Sequence, residues 1–201
     1  FDVLPRGVGA VATADVRGVL RTVNGRMAVL VLPIFYGGLA FFLGRVRPIG
    51  LEGPPTMPPL LLVAGGLVFC LLGLQPVLLN QFGRDQAGLT RELLGPLADG
   101  ELLAGKGVAG GVLFAASLAS YLAATTVLLR PPLGILPLGV LAGAAAYLLF
   151  APLAALLSMA FPRRSDLGTL GTAAKPHELA GLLGTLATLA TAASPFVVYG
   201  L

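Results

Sequence analysis

Apolar residues fall along this chain in five long blocks, separated by shorter polar or Pro/Gly-rich stretches. The blocks cover about residues 27–44, 58–79, 107–129, 133–160 and 179–201. Each is close to the ~20 residues that a helix needs to cross a hydrocarbon core. The pattern therefore predicts about five transmembrane helices. Pro33 with Gly37-Gly38 in the first block, Pro137 and Pro152 in the fourth, and Ser194-Pro195 in the fifth mark expected bends. Arg130-Pro131-Pro132 reads as a tight turn between the third and fourth.

Before the first block the period changes. Over 10–23, Ala12, Val16, Val19, Leu20 and Val23 share one helical face, while Asp15, Arg17, Arg21 and Thr22 fill the other. This is the pattern of an amphipathic helix lying in the membrane interface. Two polar stretches interrupt the apolar blocks, at 80–106 and 161–178. In the first, Asp85 is placed to cap a short helix ending before Gly95-Pro96, with Leu89, Leu93 and Leu94 on one face. Asp99 is placed to cap a second helix that begins near Glu101 and runs into the third span.

Composition agrees with a bilayer as the solvent. Hydrophobic residues make up 56% of the 201 and charged ones 11%, against roughly 25% charged in a soluble domain. The mean hydropathy is +0.91. With no Trp, the interfacial belt falls to Tyr36, Tyr121, Tyr147 and Tyr199. The expected fold is an all-α polytopic transmembrane bundle with an N-terminal interfacial helix and a short helical cytoplasmic loop. The chain opens on Phe1, so a piece of a longer protein is expected.

Charge then orients the spans. With the N-terminus in the cytoplasm, the inside segments 1–26, 80–106 and 161–178 hold ten Lys and Arg residues. The outside loops hold three, Arg45, Arg47 and Arg130. That asymmetry predicts N-inside. It also accounts for the net charge of +4 without nucleic acid, since no basic stripe carries interleaved aromatics.

Candidate chemistry is sparse. No Asp, Glu, Lys, Arg or His lies inside the five apolar blocks, which argues against an ion-coupled carrier or an intramembrane protease. The single Cys70 sits mid-span as a small hydrophobe, and neither it nor His177 has companions for a metal site. No phosphate-binding Gly-rich loop is present; around Lys106 the first glycine and the hydroxyl residue are both missing. No catalytic, cofactor or metal residues are therefore expected, and any ATP hydrolysis falls to another chain. Asp85, Glu92, Asp99 and Glu101 read as caps and surface partners of Arg84 and Arg91. A lipid-modifying membrane enzyme, or a plain membrane anchor for a partner, are the alternative classes. Gln75, beside Pro76, belongs in the protein interior, either lining a path or bonding between helices.

The strongest signal is Asn80-x-Phe82-Gly83-x-Asp85-x-x-Gly88, Leu93-Leu94-x-Pro96 and Glu101-Leu102-Leu103-x-Gly105-Lys106, followed by Ser158-x-x-Phe161-Pro162-Arg163-Arg164. These residues resemble the ABC-2 type permease family. The resemblance implies a transmembrane subunit of an ATP-driven exporter in a bacterial inner membrane, paired with a second permease unit as a homo- or heterodimer. It also implies that a separate ATP-binding subunit docks on the loop after the second span. Carried onto this chain, Leu89, Leu93 and Leu94 would enter the partner's groove and Arg84, Arg91 and Glu92 would form a charged rim. Asp85–Pro96 would be the coupling element, Gly83, Gly88 and Gly95 would permit its sharp bends, and Glu101 and Lys106 belong to the same coupling loop. That family has six spans, so a sixth is expected beyond Leu201.

Overall fold

The computed structural model describes residues 4–45, 59–83, 97–132, 134–163 and 175–198. Among them the chain is helical throughout, with no strand. The helices are α1 (Arg6–Arg21), α2 (Val23–Arg26), α3 (Leu32–Arg45), α4 (Pro59–Leu78), α5 (Asp99–Leu129), α6 (Ile135–Ala160) and α7 (Glu178–Val198). A π-helical turn, Met27–Val31, joins α2 to α3. Four segments among the described residues are long and apolar enough to cross a membrane: Val23–Phe42, Leu61–Leu78, Asp99–Leu129 and Ile135–Ala160. This is an integral membrane protein with an all-α polytopic bundle. Helix α7 adds a shorter apolar stretch over Glu178–Thr191.

The π turn has a local cause. Pro33 has no N–H to give to the carbonyl one helical turn back. In the wider turn just before it, Leu32 N–H bonds to Met27 O. The expected bend thus takes the form of a register change upstream of the proline. At the other end of the bundle, Pro131 disfavours the right-handed helical conformation for Arg130. Arg130 is left-handed (φ 49°, ψ 53°) and ends α5, its N–H bonding to Thr126 O at 3.2 Å.

Side-chain pairings set the helix directions. Tyr121 of α5 donates to Leu62 O at the start of α4 (2.9 Å), whereas Lys106 meets Phe82 just beyond the end of α4. Gly139 of α6 faces Leu122, and Tyr147 reaches Gly107. Both α4 and α6 therefore run antiparallel to α5. Helix α4 is the hub: 61% of its apolar window is buried inside the protein, against 28% for α6. Its Leu67, Leu71 and Leu74 pack with Leu113 and Phe114 of α5 and Phe150 of α6. Cys70 is buried in the same core. A helix apolar all round belongs in such a place.

The helix expected to begin near Glu101 and run into the third span is present as α5, starting at Asp99. Helix α5 has 31 residues, about 46 Å at 1.5 Å per residue, against a core ~30 Å thick. The third apolar block is only its later part, and the motif residues Glu101–Lys106 form its first turns. Its cap is shifted: Ala98 holds the cap position, and the Glu101 carboxylate accepts from Ala98 N–H at 3.2 Å. Asp99 is exposed in the first turn.

Helix α1 starts at Arg6 and packs chiefly on α5. Its buried residues are Val8, Gly9, Val11, Ala12 and Val19, with Leu20 and Val23 exposed. Ala12 and Val19 of the expected apolar face are thus fully buried and Val16 packs against the core, while the buried stripe extends to Val8, Gly9 and Val11.

Candidate functional site

Buried Asn80, Gln81, Lys106 and Ser158 gather at one end of the bundle, where α4 and α6 finish and α5 begins. Three separated pieces of the sequence signature meet there.

The first contact joins the turn after α4 to the end of α6. Ser158 is fully buried, and its hydroxyl accepts the Phe82 N–H at 3.2 Å. Asn80 is also fully buried, and its Oδ1 accepts the Arg163 N–H at 3.4 Å. Gly83 completes the fit: a Cβ there would collide with Arg163 O and Asn80 Oδ1. Arg163 extends the network by donating from Nη1 to Pro176 O at 3.4 Å. Phe161 stacks on His177 with ring centroids 5.4 Å apart. His177 in turn accepts the Leu179 N–H at 3.3 Å through Nδ1, at the start of α7.

Asn80 is not fully satisfied. Its Nδ2 has no hydrogen-bond partner among the described residues. A buried donor without a partner costs about 1–3 kcal/mol, and such groups call for an explanation beyond packing.

The second contact joins the same turn to α5. Lys106 is 2% exposed, its Nζ 5.6 Å from the centroid of the Phe82 ring. A cation over an aromatic face is attracted to the ring's negative quadrupole. The same Nζ lies 4.0 Å from Asp15 Oδ1 of α1, and Asp15 is only 11% exposed. Beside it, Gly105 admits α1: an added Cβ would come within 2.6 Å of Val11 Cβ and 3.1 Å of Val8 O. Leu102 is buried and Leu103 points outward.

Sequence reasoning placed Lys106 in the coupling loop and Asp15 on the polar face of α1. The structure brings them together as a buried pair. A signal for Lys106 was present: it lies on the helical stripe Leu102, Lys106, Ala109 and Leu113, whose other members are buried core positions. Its charge hid it.

Of the other expected site residues, Gln75 is buried and donates from Nε2 to Thr185 Oγ1 of α7 at 3.2 Å. The Thr185 hydroxyl in turn donates a hydrogen bond to Gly181 O at 2.8 Å. Arg84, Asp85, Gly88, Leu89, Arg91, Glu92, Leu93, Leu94 and Pro96 lie outside the described residues. Among the described residues no group of three His, Cys, Asp or Glu could hold a metal ion.

The arrangement suits mechanical connection. The segment 84–96 is bracketed by two anchored ends. One is tied to α6 through Ser158 and Arg163, and the other to α1 through Lys106 and Asp15. No family model, curated protein or solved structure matches the chain.

Proposed function

We propose that this chain is the membrane-spanning permease of an ATP-driven exporter, coupled to a separate ATPase through residues 80–106. The observation that carries the reading is the convergence of the signature. Asn80-x-Phe82-Gly83, Glu101–Lys106 and Ser158–Arg163 are separated by up to 83 residues, yet they form one buried junction at the end of the bundle. A loop that merely connected two spans would not need such anchors.

In this reading the ATPase binds the segment 84–96, with Leu89, Leu93 and Leu94 in its groove and Arg84, Arg91 and Glu92 at the rim. Displacement of that segment on nucleotide binding pulls on both anchors at once. Through Phe82 it loads α6, and through Lys106 it loads α5 and the docked α1. The helices then shift between two arrangements that nucleotide biases. The Asn80 amide, whose donor finds no partner among the described residues, is a group that a second arrangement would satisfy. The N-terminus lies in the cytoplasm, on the side of the ATPase, and α7 is the fifth crossing. The permease works as a dimer in the inner membrane, and nucleotide hydrolysis resides in the partner subunit.

The test is to co-express the full protein with a candidate ATP-binding subunit. Changing Leu93→Asp and Leu94→Asp together is expected to abolish co-purification and nucleotide-dependent export while leaving the bundle folded. Unchanged complex formation and export with this variant contradict the proposal.

A further inference from the structure

Beside the junction, a cleft of about 810 Å³ opens between the turn after α4 and helices α5 and α6. That is within the range of ligand sites, roughly 300–1,000 Å³. Its walls are apolar and largely small: Ala104, Gly107 and Gly111 on α5 face Ala151 and Ala155 on α6. Small residues on facing helices are by themselves only a packing surface, but here two further features point to a ligand.

The first is the polar group at the mouth. Gln81 lines the cleft and is 8% exposed. No hydrogen bond of its side-chain amide, which carries two donors and an acceptor, falls among the described residues. The other polar side chain in the wall, Tyr147, is already engaged, its hydroxyl donating to Gly107 O at 2.5 Å. The cleft is therefore polar at its mouth and apolar within.

The second is its shape. From Met159 at the mouth to Tyr147 at the floor, α6 climbs about 18 Å at 1.5 Å per residue. One leaflet of the hydrocarbon core is about 15 Å deep. Apolar walls over that depth suit flexible hydrocarbon chains, and the exposed Leu148, Leu156 and Met159 along the rim mark this face as lipid-facing.

We propose that the cleft holds the acyl chains of one glycerophospholipid from the adjoining leaflet, with the ester region of its head on the Gln81 amide. This site does not depend on the transport reading; it requires only that the chain span a membrane. Bound there, the lipid would seal the α5–α6 seam immediately beside Phe82.

The experiment uses the purified full chain in nanodiscs containing a phosphatidylglycerol with a diazirine in its acyl chain. After irradiation, adducts are mapped by mass spectrometry. Labelling of 103–111 and 148–159 is expected to exceed that around the equally exposed Leu182, Leu186 and Leu189 of α7 by about threefold, as a defined site should over bulk lipid contact. Ala155→Phe, or Ala104→Phe if the first fails to fold, is expected to bring it down to the α7 level. Gln81→Leu is expected to lower it by about half, through loss of the head contact alone. Equal labelling of both faces in the unmodified protein means annular lipid only and overturns the proposal. So does ready disulfide formation between copies of an Ala104→Cys variant, because a second protein chain would then cover the cleft; Cys70 is buried and does not interfere.

Discussion

Lys106 sits on the buried stripe of α5, one turn from Leu102, where an apolar residue would ordinarily stand. Its ammonium is held by the Asp15 carboxylate and the Phe82 ring face. Removing one partner of such a buried pair is far more damaging than replacing both. Lys106→Met is therefore expected to lower stability by about 3 kcal/mol, because it leaves Asp15 buried without its ammonium. The double change Lys106→Met with Asp15→Leu is expected to recover most of that. Thermal unfolding in detergent measures both, and a single variant as stable as the parent contradicts the role given to the pair. Lys106 was legible as a stripe position in the sequence. Its partner was not, because the pairing depends on where α1 crosses α5, and no local pattern encodes a crossing point. The same holds for Ser158 and Asn80: each was visible in the signature, but the bonds they make join segments 76 and 83 residues apart.

Among the elements, α1 is the one whose placement the sequence conveyed least well. Its amphipathic period was clear, and Ala12, Val16 and Val19 of the expected face pack inward, but the buried stripe also takes in Val8, Val11 and Asp15, and Leu20 and Val23 are exposed. The close packing depends on Gly105, where a side chain would meet Val11 and Val8 O. Gly105→Leu is expected to lift α1 from α5 without unfolding the α4–α6 core. The resulting exposure is measurable as faster protease cleavage within residues 6–21 and as faster hydrogen exchange there. Protection equal to that of the parent contradicts the docking. The transmembrane helices themselves were readable from their apolar runs. The start of α5 was readable too, as a helix from near Glu101 running into the third span; only its cap differs, Ala98 holding the position expected for Asp99.

At the scale of the whole molecule, the contacts alternate in direction from helix to helix, as a chain that crosses and recrosses a bilayer requires. Tyr121 ties α5 to the start of α4 at one end, and a denser set of polar contacts gathers at the other. Gln75–Thr185, between α4 and α7, is a single hydrogen bond nearer mid-bundle, of a kind worth about 0.6 kcal/mol in a membrane protein. The end junction, by contrast, links α1, the turn after α4, α5 and α6 around Phe82. This concentration made the sequence signature interpretable, since residues spread over the chain share one location. What the signature implies about a partner is the central claim. Site-specific photo-crosslinking tests it most directly. Benzoylphenylalanine is introduced at Leu93 in native membranes and, as a control, at the lipid-facing Leu141, which is 70% exposed. The account predicts that Leu93, and not Leu141, crosslinks to a protein that also labels with a photoreactive ATP analogue. Crosslinking of Leu93 to lipid or to copies of this chain alone, with no ATP-binding product, would contradict it.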